Sequence, residues 1–88
     1  MTFEFSGVLL RAVDNQRTVS VKANTLGDAL TELKATYPQL GVILLDGSGR
    51  LRQAHRVFLN GEVVTTPDRA MPLADDDRIE FLTAIAGG

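Results

Sequence analysis

Alternating apolar and polar positions open the chain. Phe3 and Phe5 are separated by polar neighbours, and this period of two is typical of a strand with one apolar face, so we predict a strand over residues 3–10. Residues 14–16, Asp-Asn-Gln, have the composition of a turn. Residues 17–22 alternate again and predict a second strand, which would form a hairpin with the first.

The next segment has the spacing of an amphipathic helix. Thr25 stands at the start, and Asp28 follows three residues later, as in a capped N-terminus. Pro38 is predicted to end the helix because proline pushes the preceding residue out of the α region, and Gly41 is expected to turn the chain just beyond. This is the only long helix that the pattern predicts. Its apolar stripe consists of Leu26, Ala29, Leu30, Leu33 and Tyr37.

The stretch after Pro38 gives weaker signals. Residues 42–45 are apolar and β-branched residues among them favour a strand, but so short a run cannot be assigned by periodicity, so strand and helical turn both stay open. Residues 46–49, Asp-Gly-Ser-Gly, predict a turn. Residues 50–52 are expected to form a short edge strand guarded by charge.

The C-terminal third predicts a hairpin and a last strand. Asn60-Gly61 lies between residues 57–59 and 62–64, and both of its residues tolerate the positive φ that a tight hairpin requires. Residues 78–82 alternate, with Ile79 and Phe81 facing the core. Met71 and Leu73, in the irregular connection before this strand, are expected to turn inward.

The order of these elements defines the predicted fold. Two strands, one main helix, short strands and a final buried strand make an α+β domain of the β-grasp, ubiquitin-like layout. We expect a mixed sheet of four to five strands packed on the helix, with the first and last strands parallel neighbours. The domain would span residues 1–82, and residues 83–88 would form an extended, flexible C-terminal Gly-Gly tail.

Composition narrows the functional classes. The 88 residues include no cysteine, one histidine, nine basic and eleven acidic side chains, for a net charge of −2. One small domain fits this length, and disulfides and thiolate zinc sites are excluded. The acidic balance argues against nucleic acid as a partner. No apolar run approaches the ~20 residues that span a bilayer and the N-terminus lacks signal-peptide features, so we expect no membrane association and a cytoplasmic location.

Candidate sites within the domain are weak. The Gly47-Ser48-Gly49 segment lacks the spacing of a phosphate-binding loop and is expected to be a turn. His55 lies among arginines with no second His or Cys, so we expect a surface histidine and no metal site. Residues 75–77, three aspartates, lack the spacing of a calcium loop. No nucleophile, base and orienting group can be assembled, so the protein is not expected to be an enzyme.

The C-terminal segment carries the strongest functional signal. It is apolar where an idle tail is usually polar, and it ends on Gly87-Gly88. Glycine lets the backbone enter a narrow nucleotide site of another protein, where the Gly88 carboxylate could be adenylated and then attacked by sulfur or nitrogen. Leu82 is expected on the outer sheet face as a partner-binding residue; Phe81 is a further candidate there, although its alternation favours the core. Tail recognition is assigned to Ala84, Ile85, Ala86 and Gly87.

The chain resembles the ubiquitin-like sulfur carriers of the ThiS/MoaD family along nearly its whole length. The resemblance rests on residues 25–30 at the helix start, 37–38 at its end, 57–61 in the hairpin, 73–79 before the last strand, and 86–88. The middle segment is similar to that of the longer MoaD-like and cysteine-synthesis carriers. In such relatives the stretch from Leu40 to Leu45 tends to be a helical turn.

The resemblance implies a function. A ubiquitin-activating-like adenylyltransferase/sulfurtransferase would use ATP to adenylate Gly88 and convert it to a thiocarboxylate, which would donate sulfur to a biosynthetic acceptor enzyme. The product could be cysteine, molybdopterin or another sulfur-containing metabolite. No cofactor would be bound by the carrier itself. Three alternatives stay open: a protein modifier joined to target lysines through Gly88, the small subunit of a molybdopterin synthase, and a structural binding module with no C-terminal chemistry.

Overall fold

The computed structural model describes residues 1–52, 55–65 and 67–83. The elements follow in the order β1 (Thr2–Glu4), a 3-10 helix (Gly7–Val13), β2 (Thr18–Ser20), α1 (Leu26–Thr36), α2 (Pro38–Leu44), β3 (His55–Leu59), β4 (Glu62–Val64) and β5 (Arg78–Thr83). β5 includes Thr83, which the sequence pattern placed in the tail. Residues 84–88, the rest of the predicted tail, lie outside the described residues.

The sheet has five strands in the order β2-β1-β5-β3-β4. β1 and β5 run parallel, with Phe3 opposite Ile79, while the pairs β1–β2, β3–β5 and β3–β4 are antiparallel. The predicted parallel pairing of the first and last strands is therefore confirmed. β5 lies in the middle of the sheet, and the fold is the predicted α+β, β-grasp arrangement.

Helix α1 begins where the sequence indicated. The Thr25 hydroxyl accepts a hydrogen bond from the Asp28 amide at 3.2 Å. The Leu26 and Gly27 amides have no acceptor within the helix, and they donate instead to the backbone carbonyls of Met71 and Arg69. The connection before β5 thus holds the start of the helix. Leu73 is buried and Met71 packs against the core, as predicted.

Two predictions in the first half are wrong or incomplete. The strand expected over residues 3–10 stops at Glu4, because Gly7 has a φ of 60° and the chain turns into the 3-10 helix. The buried residues of that helix are Leu9, Ala12 and Val13, a helical spacing that strand alternation concealed. β1 and β2 pair as expected, but across this helix and not through a tight hairpin.

The ambiguous stretch after Pro38 is helical. Pro38 ends α1 as predicted but also occupies the first turn of α2, where its missing N–H costs nothing. Gly41 lies inside α2 and does not turn the chain. Leu40 and Leu44, four residues apart, are buried, whereas the β-branched Val42 and Ile43 are exposed. Residues 50–52 form no edge strand; they contribute only the isolated bridge between Leu51 and Leu45.

The β3–β4 hairpin forms as predicted. Asn60 and Gly61 have φ values of 52° and 86°, which are the positive values that a two-residue hairpin of this twist requires. Within the described residues, no helix is long and apolar enough to cross a membrane.

Candidate functional site: the end of β5 and the outer sheet face

The last strand is fixed in the centre of the sheet up to its final residue. β3 runs antiparallel beside β5, from Leu59 opposite Ile79 to His55 opposite Thr83. β1 covers the other side of β5 only from Arg78 to Glu80. Because β3 pairs with Thr83, the point from which the chain continues toward Gly88 is held by the rigid body of the sheet.

Phe81 is a core residue. Its side chain is 1% exposed, and its ring stacks with those of Phe3 and Phe5 at centroid distances of 5.5 and 6.0 Å. These distances are in the range of favourable aromatic pairs. The core interpretation of Phe81 is confirmed, and its candidate role in partner binding is wrong for the side chain, which no partner can reach in this structure.

Leu82 lies on the opposite, outer face of the sheet. Its side chain is 48% exposed, as the strand alternation predicted. The register places Arg56 opposite Leu82, and Phe58 between Glu80 and Val63 in the neighbouring row. Residues directly opposite one another in antiparallel strands share a face, so these side chains form one surface. We call the group Arg56, Phe58, Val63, Glu80 and Leu82 the outer patch.

The outer patch combines apolar and charged groups. Val63 is 49% exposed, and Phe58 is half-buried. Arg56 and Glu80, both exposed, stand beside the apolar side chains. An apolar centre with charged neighbours is the composition of a protein-binding surface. Phe58 and Val63 were not predicted as part of the site; the Asn60-Gly61 hairpin could have revealed them, because it fixes the register that places them together.

His55 is not the surface histidine that the sequence predicted. Its side chain is 9% exposed, and Nε2 lies 2.9 Å from the backbone carbonyl oxygen of Ile43, to which it donates a hydrogen bond. This contact joins β3 to α2 at the position opposite Thr83. The prediction failed because the arginines around His55 in the sequence suggested an exposed segment, while alternation with the buried Val57 places the imidazole on the inner face.

The two polar segments that were weighed as ligand sites have structural roles. In the Asp46-Gly47-Ser48-Gly49 turn, the Asp46 carboxylate accepts hydrogen bonds from the Ser48 hydroxyl and from the Ser48 and Arg50 amides, and these bonds lower its pKa. Asp77 accepts bonds from the Ala74 amide and from the side chain of Asn60. Among the described residues, no group of three or more His, Asp or Glu side chains is placed to hold a metal ion.

The residues predicted to carry the chemistry, Gly88, Gly87, Ala86, Ile85 and Ala84, lie outside the described residues, so their assignments stay predictions. Directly before them in the chain, the structure describes the end of β5, which includes the exposed Leu82. The described residues form a sheet whose central strand, β5, leads to the C-terminal residues and whose outer face carries exposed apolar side chains.

The fold and this arrangement define a ubiquitin-like β-grasp protein, and solved structures agree. The crystal structure of Mycobacterium tuberculosis CysO matches with a TM-score of 0.81 and 29% identity over 96% of this chain and 98% of that one. SAMP1 from Haloferax volcanii matches with a TM-score of 0.80 and 26% identity over 100% and 98%. The Amycolatopsis orientalis BexX/CysO complex matches with a TM-score of 0.85 over 99% and 98%; at 20% identity it shows the fold alone.

Sequence comparison identifies the family. The ThiS family model matches residues 5–88. The sulfur carrier protein CysO of M. tuberculosis is 31% identical over 91 residues, which cover 100% of this chain and 98% of that protein. The chain belongs to the ThiS family of ubiquitin-like sulfur carriers, as the sequence resemblance implied.

Proposed function

We propose that this protein carries sulfur as a thiocarboxylate on Gly88. An ATP-dependent, ubiquitin-activating-like enzyme adenylates the Gly88 carboxylate, and a sulfur donor converts the adenylate to the thiocarboxylate. A biosynthetic enzyme then accepts the sulfur. The protein itself serves as a co-substrate of these partners and not as an enzyme.

The observation that carries the proposal is the family match, which continues through Gly88, together with the position of β5. Only residues 84–88 separate Thr83, which is paired with His55 in mid-sheet, from the reacting carboxyl group. At roughly 3.3 Å per extended residue, five residues can reach about 16 Å beyond the sheet. That reach suffices to insert a side-chain-free Gly-Gly end into a partner's nucleotide site while the domain stays on its surface.

The chemistry balances with reagents that the partner supplies. A carboxylate oxygen of Gly88 attacks the α-phosphate of ATP, and pyrophosphate leaves. The resulting acyl adenylate is an electrophile: a hydrosulfide ion attacks the acyl carbon, AMP leaves, and loss of the S–H proton gives the thiocarboxylate. Gly88 then ends in one oxygen and one sulfur. No side chain of the carrier is consumed, which agrees with the absence of cysteine.

The outer patch is the proposed docking surface for the activating partner. Leu82 is the residue nearest to the tail in this patch, and it is partly exposed without being part of the buried core. Burying such an apolar side chain in a partner's pocket contributes to affinity because that surface leaves water. A rigid contact here would also orient the segment that follows.

Replacing Leu82 with glutamate tests this surface. We expect Leu82→Glu to weaken binding to the activating enzyme roughly tenfold or more, because a charge would be buried in an apolar contact. Stability should change by only about 0.5 kcal/mol, since the site is half exposed. Ser20→Glu, at the exposed edge strand β2, is the matched control and should bind as the wild type does. Equal affinities for all three proteins would remove the outer patch from the proposal.

Reconstitution tests the sulfur chemistry. The protein is incubated with its activating enzyme, ATP and a sulfide source, and its intact mass is measured. We expect the mass increase of one oxygen replaced by one sulfur, dependent on ATP. A variant lacking Gly87 and Gly88, and one with alanine appended after Gly88, should gain nothing. An unchanged wild-type mass while the enzyme adenylates a known carrier would contradict the proposal.

A second candidate function is protein modification. It is favoured by the 26% identity to SAMP1, the small archaeal modifier protein 1 of Haloferax volcanii. In that role, the activated Gly88 would form an isopeptide bond with lysines of target proteins. Conjugates that survive denaturation and reduction would support it, whereas the small-molecule pathway predicts that the protein co-purifies with an acceptor enzyme for cysteine, molybdopterin or another sulfur metabolite.

A further inference from the structure

A groove of about 910 Å³ opens between α1, the loop that follows α2, and the β3–β4 hairpin. Its accessible apolar part is formed by Leu51, Val63 and Val64, and the buried Leu26 and Leu30 also line it. Because β3 is antiparallel to both β4 and β5, the start of β3, the end of β4 and the end of β5 share one end of the sheet. The groove, which reaches His55 and Val64, therefore lies at the end of the sheet where β5 finishes.

Positive charge is concentrated in this groove. Four of the nine basic residues line it, whereas Asp68 is the single acidic residue among the described lining residues. The whole chain has a net charge of −2, so the remainder of the molecule is strongly acidic by comparison. Because the groove is positive while the chain as a whole is negative, the groove attracts negatively charged partner surfaces. The four basic residues are Arg50, Arg52, Arg56 and Arg69.

Arg69 holds the groove together and is already occupied. Its guanidinium donates to the carbonyl oxygen of Gly49 at 2.8 Å, and to the carbonyl of Gly27 and the hydroxyl of Thr31, both at 3.2 Å. These bonds connect the loop after α2 to the first turns of α1. The groove is therefore fixed before any partner arrives, which reduces the entropy lost on binding.

The other three arginines are available. Arg50, Arg52 and Arg56 are exposed, and in the described parts of the chain their guanidinium groups form no hydrogen bond or ion pair. The charge of Arg52 acts on the Asp46 carboxylate without forming an ion pair with it, and the Asp46 Oδ1 already accepts the Ser48 and Arg50 bonds of its own turn. Planar, doubly donating guanidinium groups suit carboxylates especially well.

We propose that this arginine groove docks an acidic, extended segment of a partner protein. Carboxylates of the segment meet Arg50, Arg52 and Arg56, and an apolar side chain between them packs on Leu51 and Val64. A nucleic acid fits less well, since the acidic chain repels its backbone and the described lining residues include no Phe, Tyr or Trp on which a base could stack. Inorganic phosphate would leave the apolar part unused. The docking is independent of any chemistry at Gly88.

The proposal is tested by titrating the isotope-labelled protein with an N-acetylated synthetic peptide of alternating glutamate and leucine, followed by NMR. We expect amide shifts concentrated at residues 50–52 and 63–65. Arg52→Glu combined with Arg56→Glu should weaken binding roughly tenfold. Arg11→Glu combined with Arg17→Glu, two exposed arginines elsewhere, is the matched control and should leave the affinity unchanged. Raising salt from about 0.05 M to about 0.5 M should weaken binding through screening.

Three results would overturn the inference: shifts scattered over the surface, equal binding of a matched peptide with glutamine in place of glutamate, or equal weakening by both double variants. The same shifts with sodium phosphate alone, and no response to the peptide, would make the groove a small-anion site and also reject the proposal. If the charge-reversed protein does not give a folded spectrum, Arg52→Gln and Arg56→Gln replace it, and unchanged affinity in that folded pair contradicts the docking.

Discussion

Asp77 shows how one exposed carboxylate can organise two parts of the sheet. Its Oδ2 accepts from the Ala74 amide at 2.8 Å, and its Oδ1 accepts from the Asn60 side chain at 3.0 Å. The Asn60 side-chain oxygen in turn accepts from the Arg78 amide at 2.9 Å. The hairpin turn and the start of β5 are thus joined by one short hydrogen-bonded chain, and β5 begins where that chain holds it.

This arrangement predicts an acid-dependent stability. The bonds from Ala74 and then Asn60 hold the pKa of Asp77 below its ordinary value of 3.8. A carboxyl whose pKa is lowered on folding stabilises the protein fully above the unfolded pKa, and this contribution disappears as pH falls through the folded pKa. Asp77→Asn should therefore lower the free energy of unfolding at neutral pH, and its difference from the wild type should shrink between about pH 5 and about pH 2.

Urea denaturation at several pH values measures this effect. Asp75→Asn is the matched control, since its side chain makes no hydrogen bond to another described residue of the protein. It should leave the free energy of unfolding nearly unchanged. A constant difference between Asp77→Asn and the wild type at all pH values would show that the charge of Asp77 is not the stabilising feature.

At the level of elements, the start of α1 depends on a close backbone approach. The Gly27 amide donates to the carbonyl oxygen of Arg69 at 2.8 Å, and a Cβ added at Gly27 would lie 2.9 Å from the Arg69 Cβ and 3.0 Å from its carbonyl oxygen. Both contacts are too short. The same contact secures the connection that closes the arginine groove, so the helix start and the groove share one constraint.

Gly27→Ala should destabilise the protein even though alanine is the better helix former. Helix propensity favours alanine by up to ~1 kcal/mol, but the backbone of Arg69 would have to move, and overpacking of this kind costs roughly 1–3 kcal/mol. Thermal unfolding gives the sign directly. Gly47→Ala is the control, because a Cβ there meets nothing within 4 Å. A raised melting temperature for Gly27→Ala would mean that the segment around Arg69 moves at little energetic cost, and it would contradict the prediction.

The elements also show what the sequence could reveal. Local chemistry was sufficient where it was decisive: Thr25 with Asp28 placed the start of α1, and Asn60-Gly61 placed the hairpin. Local chemistry failed where tertiary packing decided between a strand and a helix. Residues 3–10 alternate well enough for a strand, but the strand stops at Glu4, and from Gly7, which has a positive φ, the chain forms a 3-10 helix whose buried face is set by the core. Residues 42–44 belong to α2 because Leu40 and Leu44 have a core to bury them.

At the scale of the whole molecule, the position of β5 in the sheet and the distribution of charge distinguish two surfaces. β5 lies between β1 and β3, so the segment after Thr83 continues from the central strand of the sheet. The outer patch lies on the outer face of the sheet, and the arginine groove lies at the end of the sheet where β5 finishes; the two surfaces share Arg56 and Val63. A partner that covers the whole outer patch would therefore also contact part of the arginine groove.

The candidate site was predictable only in part. Alternation placed Leu82 outward and Phe81 in the core, because a strand buried on one face leaves no other choice. The outer patch needed the register of three strands, and the groove needed arginines from separate segments to meet, which one-dimensional spacing does not encode. The reacting end, Gly87-Gly88, was inferred from residue chemistry and family resemblance, and its role is the central claim to be tested.

The most direct measurement is mass spectrometry of the protein isolated from its own cells under non-reducing, sulfur-preserving conditions. Fragmentation of the C-terminal peptide locates any change. We expect a fraction of molecules in which one carboxyl oxygen of Gly88 is replaced by sulfur, and loss of that fraction when the activating enzyme is deleted. A sulfur atom located at another residue, or only unmodified Gly88 while a known carrier in the same extract is thiocarboxylated, would contradict it.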